Sequence, residues 1–278
     1  MRNYVQRFLF EELSIRGRLV VLENSWHEML AGRGYTPNIA ELLGHTVAVA
    51  VLLGVHHKNE RRITLQVRGD GPVSLLVVDC AAGLKIRGMA IAADGAAGGL
   101  DALFGRARLA LTLETVDSGH LYQSIVPLEG ETLAQVFEHY LSQSEQVESM
   151  LVLHAADHAL CGLLLEKLPD ADARDAHGWA RVSERAQRLT LLDAIEHSPS
   201  TLLVRLFGRE LLRVFALDPV EYHCPFDAAK VKDVLRSLGR TECESILAEQ
   251  GAVVIKNEMC NHEYRFGLEE VAALFAET

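Results

Sequence analysis

The side chains of this 278-residue chain best suited to chemistry are its five cysteines, Cys80, Cys161, Cys224, Cys243 and Cys260. No secretion signal precedes them, so they are not read as the disulfide framework of a small secreted domain. In a reducing compartment they are thiols or metal ligands. Cys80 closely follows the apolar run Val73 to Val78, and Cys161 precedes Leu163 to Leu165. Both are expected to be buried, since a free cysteine packs as a small hydrophobe. His154 and His158 have a four-residue spacing that would put both rings on one helix face, but Leu151, Val152 and Leu153 look strand-like, and the glutamate of a zinc-protease motif is absent. The glycine-rich DGAAGGLD, from Asp94 to Asp101, lacks the Lys and Ser/Thr of a phosphate-binding loop and is read as a flexible loop. His56, His57 and Lys58 close a long helix, where cations complement the helix dipole. No serine–histidine–acid pattern or pair of catalytic carboxylates can be argued from spacing, so an enzyme is not expected.

The elements that must position these groups begin with composition. At 49% hydrophobic and 23% charged residues the chain can bury a sizeable core. Its 38 acidic residues outnumber 27 basic ones, and the net charge of −11 repels phosphate backbones and anionic membranes. Neither nucleic acid nor membrane is therefore an expected partner. The longest apolar stretch, Val47 to Val55, is too short to span a bilayer, and MRNYVQRFLFEELS is interrupted by charges, so a cytoplasmic location is expected.

Arg16 to Leu22 predicts a strand, and Ser25 with Glu28 has the spacing of a capping box opening a short helix. Thr36 and Pro37 start a second helix, running to about His57, whose VAVAVLLG segment is apolar on nearly every side and so belongs in the core. Ile63, Leu65 and Val67 alternate with polar residues and, with Val73 to Val78 across Gly69–Pro72, predict a β-hairpin. Strand-like runs at Leu109 to Leu113 and Tyr122 to Val126 precede a helix from about Thr132 to Gln143. Residues 1–169 are thus expected to form an α+β domain built on an antiparallel sheet.

From Asp170 to Arg188 the chain turns charged and alanine-rich, which reads as a helical linker with little stability of its own. Leu189 to Leu217 recovers helical apolar spacing, extending the linker to residue 218. Residues 219–278 form a small terminal unit that would need a staple, a metal or a docking partner to stay folded.

ITLQVRGDGPVSLLVV (63–78), IRGMA (86–90), LYQSIVPLEGETLAQVFEHYLSQSEQ (121–146), RLFGRELLRVF (205–215) and ESILAEQG (244–251) together resemble, in order and spacing, the heat-shock-33 family of redox-regulated chaperones. The resemblance implies an N-terminal substrate-binding domain, a metastable helical linker and a C-terminal zinc domain whose oxidation unfolds the linker and exposes apolar surface to unfolded clients. It also implies that active protomers pair as homodimers through the N-terminal domain.

The family's zinc site joins a Cys-x-Cys motif to a later Cys-x-x-Cys motif. Here Cys224 and Cys260 match, whereas Phe226 and Asn257 occupy the other two ligand positions. Three arrangements answer that gap. Zinc could be retained by recruiting His223, Cys243 and His262 beside Cys224 and Cys260; against this, neighbours on a strand point to opposite faces. Phe226, Met259 and Phe266 could replace the ion with apolar packing. Or Cys224 and Cys260 could act as a two-cysteine redox switch. The expected function is an ATP-independent holdase with altered redox and zinc control; the alternative is a constitutive binding or scaffold protein whose switch has decayed.

Overall fold

The computed structural model describes residues 2–55, 61–115, 119–225 and 228–276. It has the expected α+β composition with antiparallel sheets, and divides into a unit of residues 1–223 and a second of residues 224–278.

Strands β1 (Asn3–Phe10) and β2 (Ile15–Leu22) are followed by helices α1 (Asn24–Leu30) and α2 (Pro37–Gly54). Pro37 sits in the first turn of α2, where its missing N–H costs nothing. By length and composition α2 could cross a membrane, but 72% of it is buried within this unit. It lies against both sheets, touching β2, β8 (Ser149–Ala156) and β9 (Ala159–Lys167) of one and β3 (Arg61–Arg68), β4 (Val73–Ala81) and β5 (Lys85–Ala92) of the other. The close approach has a sequence cause: a Cβ at Gly44 would stand 2.5 Å from the Ala155 methyl.

The β3–β4 hairpin forms as read, with Ile63 opposite Cys80. The second sheet continues through β6 (Arg108–Thr115) to β7 (Leu121–Val126), and α4 (Leu133–Ser144) follows, Thr132 accepting the Gln135 N–H as its N-cap. Residues 94–99 form the expected loop ahead of the short α3 (Leu100–Phe104).

After β9 come the helices α5 (Ala171–Arg174), α6 (Gly178–Ala186), α7 (Leu191–Glu196) and α8 (Pro199–Phe207), then β10 (Leu212–Pro219) and the two-residue β11 (Glu221–Tyr222). The first sheet has the order β10-β1-β2-β9-β8 and the second β11-β5-β4-β3-β6-β7.

Two readings of the sequence are corrected. Ser25 does not cap α1: its hydroxyl donates to the Val220 carbonyl and accepts the Tyr222 N–H, a tertiary use that outcompetes the local capping box. The helical spacing from Leu189 ends at Phe207, and Leu212–Pro219 is a strand paired with β1, because an available sheet edge overrides local periodicity. His56, His57 and Lys58 lie outside the described residues.

The second unit holds α9 (Ala228–Leu238), α10 (Arg240–Gln250), the hairpin of β12 (Val253–Asn257) and β13 (His262–Phe266), and α11 (Leu268–Ala276). Its core is small, centred on Leu235, Cys243, Val253, Val271 and Leu274. A core of that size supplies little folding free energy on its own, so a covalent staple matters more here than in the first unit.

Candidate functional site

Cys224 and Cys260 are joined as a disulfide, with Cα atoms 5.7 Å apart and a sequence separation of 36. That separation lies within the normal range for a disulfide. Cys260 sits in the β12–β13 turn. This turn is organised by Asn257, whose side-chain oxygen accepts the Met259 N–H at 3.1 Å while its carbonyl accepts the Cys260 N–H at 3.2 Å. Asn261, in the left-handed region at φ 52°, completes the reversal. At a position where the resemblance implies a thiolate, a carboxamide thus holds the loop by hydrogen bonds.

The other donors proposed for zinc are engaged separately. Cys243 is fully buried in the core of the second unit, its thiol directed to the Leu235 carbonyl at 3.7 Å. Burial, together with Glu242 and Glu244, raises its pKa. The His262 ring lies edge-on to Tyr264, centroids 5.1 Å apart. In the first unit, the His223 N–H donates to the Ile86 carbonyl at 2.9 Å, prolonging the β11–β5 ladder. Among the described residues no group of three His, Cys, Asp or Glu converges to hold a metal ion. In this disulfide-bonded form the described donors do not converge on one tetrahedral site. Of the residues named for apolar replacement, Phe266 packs against the small core, Met259 is half-buried, and Phe226 lies outside the described residues.

A different kind of site exists in the first unit. The first sheet has two apolar faces, and alternation along its strands splits them: Val20, Leu22, Leu160 and Leu164 face α2, while Leu19, Val21, Cys161, Leu163 and Leu165 face the other way. On this second face β1 contributes Tyr4, Phe8 and Phe10. Gly17 makes room for an aromatic ring, since a Cβ there would fall 2.1 Å from Phe8.

Covering the face are α6, α7 and α8, which place Val182, Ala186, Ala194, Leu202, Leu203 and Phe207 upon it. Phe8, Phe10 and Phe207 form a ring cluster with centroid distances of 5.1 to 5.9 Å. Ion pairs brace the covering segment within itself. Glu210 accepts from Arg181 at 2.9 Å and from Arg185 at 3.2 Å, and Arg181 also reaches Asp175 at 2.9 Å. That bond holds the Asp175 carboxyl below its usual range, with the His177 N–H adding to it. Asp170, bonded by Ser14 and Arg174, is lowered likewise. His154 contributes from β8, its Nε2 lying 2.8 Å from the Leu189 carbonyl; it is a structural tie and no member of a metal pair.

Cys161 lies beneath this cover, fully buried, its thiol pushed up to about 12 by burial. Cys80 is buried in the α2 core and raised to the same value, again by burial first. Neither forms an appreciable thiolate near neutrality.

Reading by sequence identified the cysteine pair but not the covered face. The signal for it was Tyr4, Phe8 and Phe10 at even positions of a short alternating run, interrupted by Gln6.

A family model described as Hsp33 protein matches residues 3–267. The 33 kDa chaperonin of Nitrosococcus oceani is 36% identical over 277 residues, covering 99% of this chain and 95% of that protein. The 33 kDa chaperonin of Pseudomonas paraeruginosa is 38% identical over 280 residues, covering 98% and 94%. The fold matches the crystal structure of the 33 kDa chaperonin (heat shock protein 33 homologue) of Thermotoga maritima with a TM-score of 0.80, covering 100% of this chain and 99% of that one at 19% identity.

Proposed function

The chain belongs to the Hsp33 family of chaperones, and on that premise we propose that it is an ATP-independent holdase whose client surface is the apolar sheet face covered by α6–α8. The observation that carries this reading is the cover itself. Segment 170–218 lays Val182, Leu189, Leu202, Leu203, Phe207 and the half-buried Trp179 on the sheet, and is braced within itself by partly exposed ion pairs. Such a layer is held mainly by docking and opens at lower free energy than the sheet beneath it. When it lifts, side chains from β1, β2 and β9 become a continuous patch of the kind that binds exposed hydrophobic segments of unfolding proteins. No nucleotide is needed for such capture.

The redox control is proposed to differ from the zinc form the family resemblance implies. With Phe226 and Asn257 at two ligand positions, oxidation cannot remove a four-thiolate ion from the second unit. The Cys224–Cys260 bond instead closes a loop of some 37 residues, and chain-entropy estimates give it about 3 to 4 kcal/mol of stabilisation. Oxidation would then tighten the terminal unit, and heat or another perturbation of the cover would do the opening. Working in the cytoplasm, active protomers would pair through the first unit, as the family resemblance implies.

Light scattering of a thermally unfolding client, with and without the purified chain and without nucleotide, tests the reading. Suppression at a few-fold molar excess is expected after mild heating. Unchanged scattering under both reducing and oxidising conditions would overturn it. Equal suppression before and after heating would favour the constitutive binding protein instead, a reading the disulfide-stapled terminal unit supports.

A further inference from the structure

The first core contains a charged knot that chaperone action does not use. Arg18 of β2 is 3% exposed and Glu166 of β9 is also 3% exposed. Arg18 donates from Nη2 to Glu166 Oε2 at 2.6 Å and from Nη1 to the Leu52 carbonyl at 2.8 Å. Arg16, one pleat away on the same face, reaches that carboxylate with Nε at 2.8 Å and Nη2 at 3.0 Å. One carboxylate therefore faces two guanidiniums, Arg18 buried and Arg16 34% exposed, so the pair carries one positive charge in excess of Glu166. A buried charge cluster is seldom more stabilising than apolar side chains of similar volume, so its presence calls for a reason beyond stability.

Arg18 has donors to spare. A guanidinium carries five N–H groups. Two are spent on Leu52 and Glu166, and the remaining three have no protein acceptor among the described residues. Burial lowers the Arg18 pKa to about 10 even with Glu166 alongside, which still leaves it charged at neutral pH.

Beside the knot is a cavity of about 140 Å³. Its walls are Leu53, Ile63, Leu111, Leu113 and Leu141, drawn from α2, β3, β6 and α4, and its lining includes Arg16, Arg18 and Glu166. Glu145 also lines it, but is exposed and so is screened by solvent. The cavity is half open to solvent, and its volume is close to the ~150 Å³ of an enclosed engineered cavity that holds one benzene molecule.

We infer that this cavity is a binding site for a small monocarboxylate with a compact apolar body, of the size of benzoate or a six-carbon acid. The carboxylate would accept from the unspent donors of Arg18 and from Arg16, while the body lies against the leucine walls. The site is separate from the covered sheet face: Arg16, Arg18 and Glu166 point to the α2 side of the sheet, opposite Leu19 and Leu163.

Calorimetry and thermal melting of the full-length chain with sodium benzoate and sodium hexanoate, at ionic strength matched with sodium chloride, test the inference. Saturable binding and a rise in melting temperature are expected, and uncharged benzyl alcohol should not reproduce them. Leu113→Phe, which fills the cavity from a half-buried wall, should weaken benzoate at least about tenfold while leaving the circular dichroism unchanged, and Arg18→Met should weaken it by a similar factor through loss of the charge-assisted bonds. Should Arg18→Met fail to fold, Leu113→Phe decides alone. No binding at millimolar benzoate, equal binding of benzyl alcohol, or binding indifferent to Leu113→Phe would each overturn the assignment. So would loss of client capture in Leu113→Phe with no benzoate binding to the parent chain, which would assign the cavity to client side chains.

Discussion

Phe207 of α8 meets Phe10 of β1 edge to face, with ring centroids 5.1 Å apart and both rings fully buried. The contact joins a covering helix to the sheet, and Phe207 packs on Phe8 as well, so it bears on how easily the cover lifts. Edge-to-face pairs add roughly 0.5–1.5 kcal/mol to ordinary burial.

Phe207→Ala should cost about 3–5 kcal/mol, most of it in the cover rather than in the sheet. The variant is expected to suppress client aggregation without heating. Cys161 provides the readout, because it is the described thiol lying beneath the cover. Its alkylation by iodoacetamide, negligible in the parent chain, should rise several-fold in Phe207→Ala. Aggregation suppression without any gain in Cys161 labelling would place the client surface elsewhere.

The electrostatic part of the cover is tested at Glu210. Glu210→Gln removes a carboxylate shared by Arg181 and Arg185, and partly exposed networks of this kind contribute about 1 kcal/mol. Limited proteolysis within residues 170–210 should therefore quicken in Glu210→Gln. The parent chain should also become more protease-sensitive in high salt, which screens Arg181–Asp175 and Arg205–Asp193. A cut pattern unchanged by the variant and by salt would mean that the apolar contacts alone hold the cover.

Much of this arrangement could be read in the chain, and the part that could not has a physical explanation. The β3–β4 hairpin, α2 and α4 announce themselves through local signals: alternation, a proline in the first turn, and a threonine cap. Cys224 and Cys260, bonded to each other here, stand out through the family resemblance. What stayed hidden depends on partners distant in sequence. β10 is a strand because β1 offers an edge some 200 positions earlier, and Gln6 supports it by donating to the Phe215 carbonyl where the register slips. Ser25 looks like a helix cap until Val220 and Tyr222 claim its hydroxyl. Arg18 resembles any arginine of an exposed strand, and only the pairing of β2 with β9 brings Glu166 within reach.

Metal content follows from the donor geometry of the second unit. Protein purified under reducing conditions should contain well under one zinc per chain, because Asn257 spends its side-chain oxygen on the Met259 N–H and Cys243 is buried in the core. Atomic emission spectroscopy checks this. A stoichiometric zinc lost on Cys224→Ser would show that the reduced thiols recruit ligands the disulfide form does not display.

His45 gives the fold a dependence on pH whose sign can be worked out. Its Nε2 is buried on α2 without a hydrogen-bond partner, and burial, with the nearby His154 charge, lowers its pKa to about 4 from an ordinary 6.5. The unfolded chain therefore binds a proton between those values that the folded chain does not. Stability from this group is complete above about pH 6.5, falls as pH drops through that window, and levels off below about pH 4, with a total loss of about 3 kcal/mol. The carboxylates of the cover add to the fall at still lower pH, since Asp170 and Asp175 have depressed pKa values and their ion pairs are lost on protonation. Urea denaturation at a series of pH values from 7.5 to 4 should show the decline, and His45→Gln, which cannot take up a proton, should flatten most of it above pH 4.5. A decline of the same size in His45→Gln would assign the acid sensitivity in that range to groups other than His45, because the depressed carboxylates of the cover act only at lower pH.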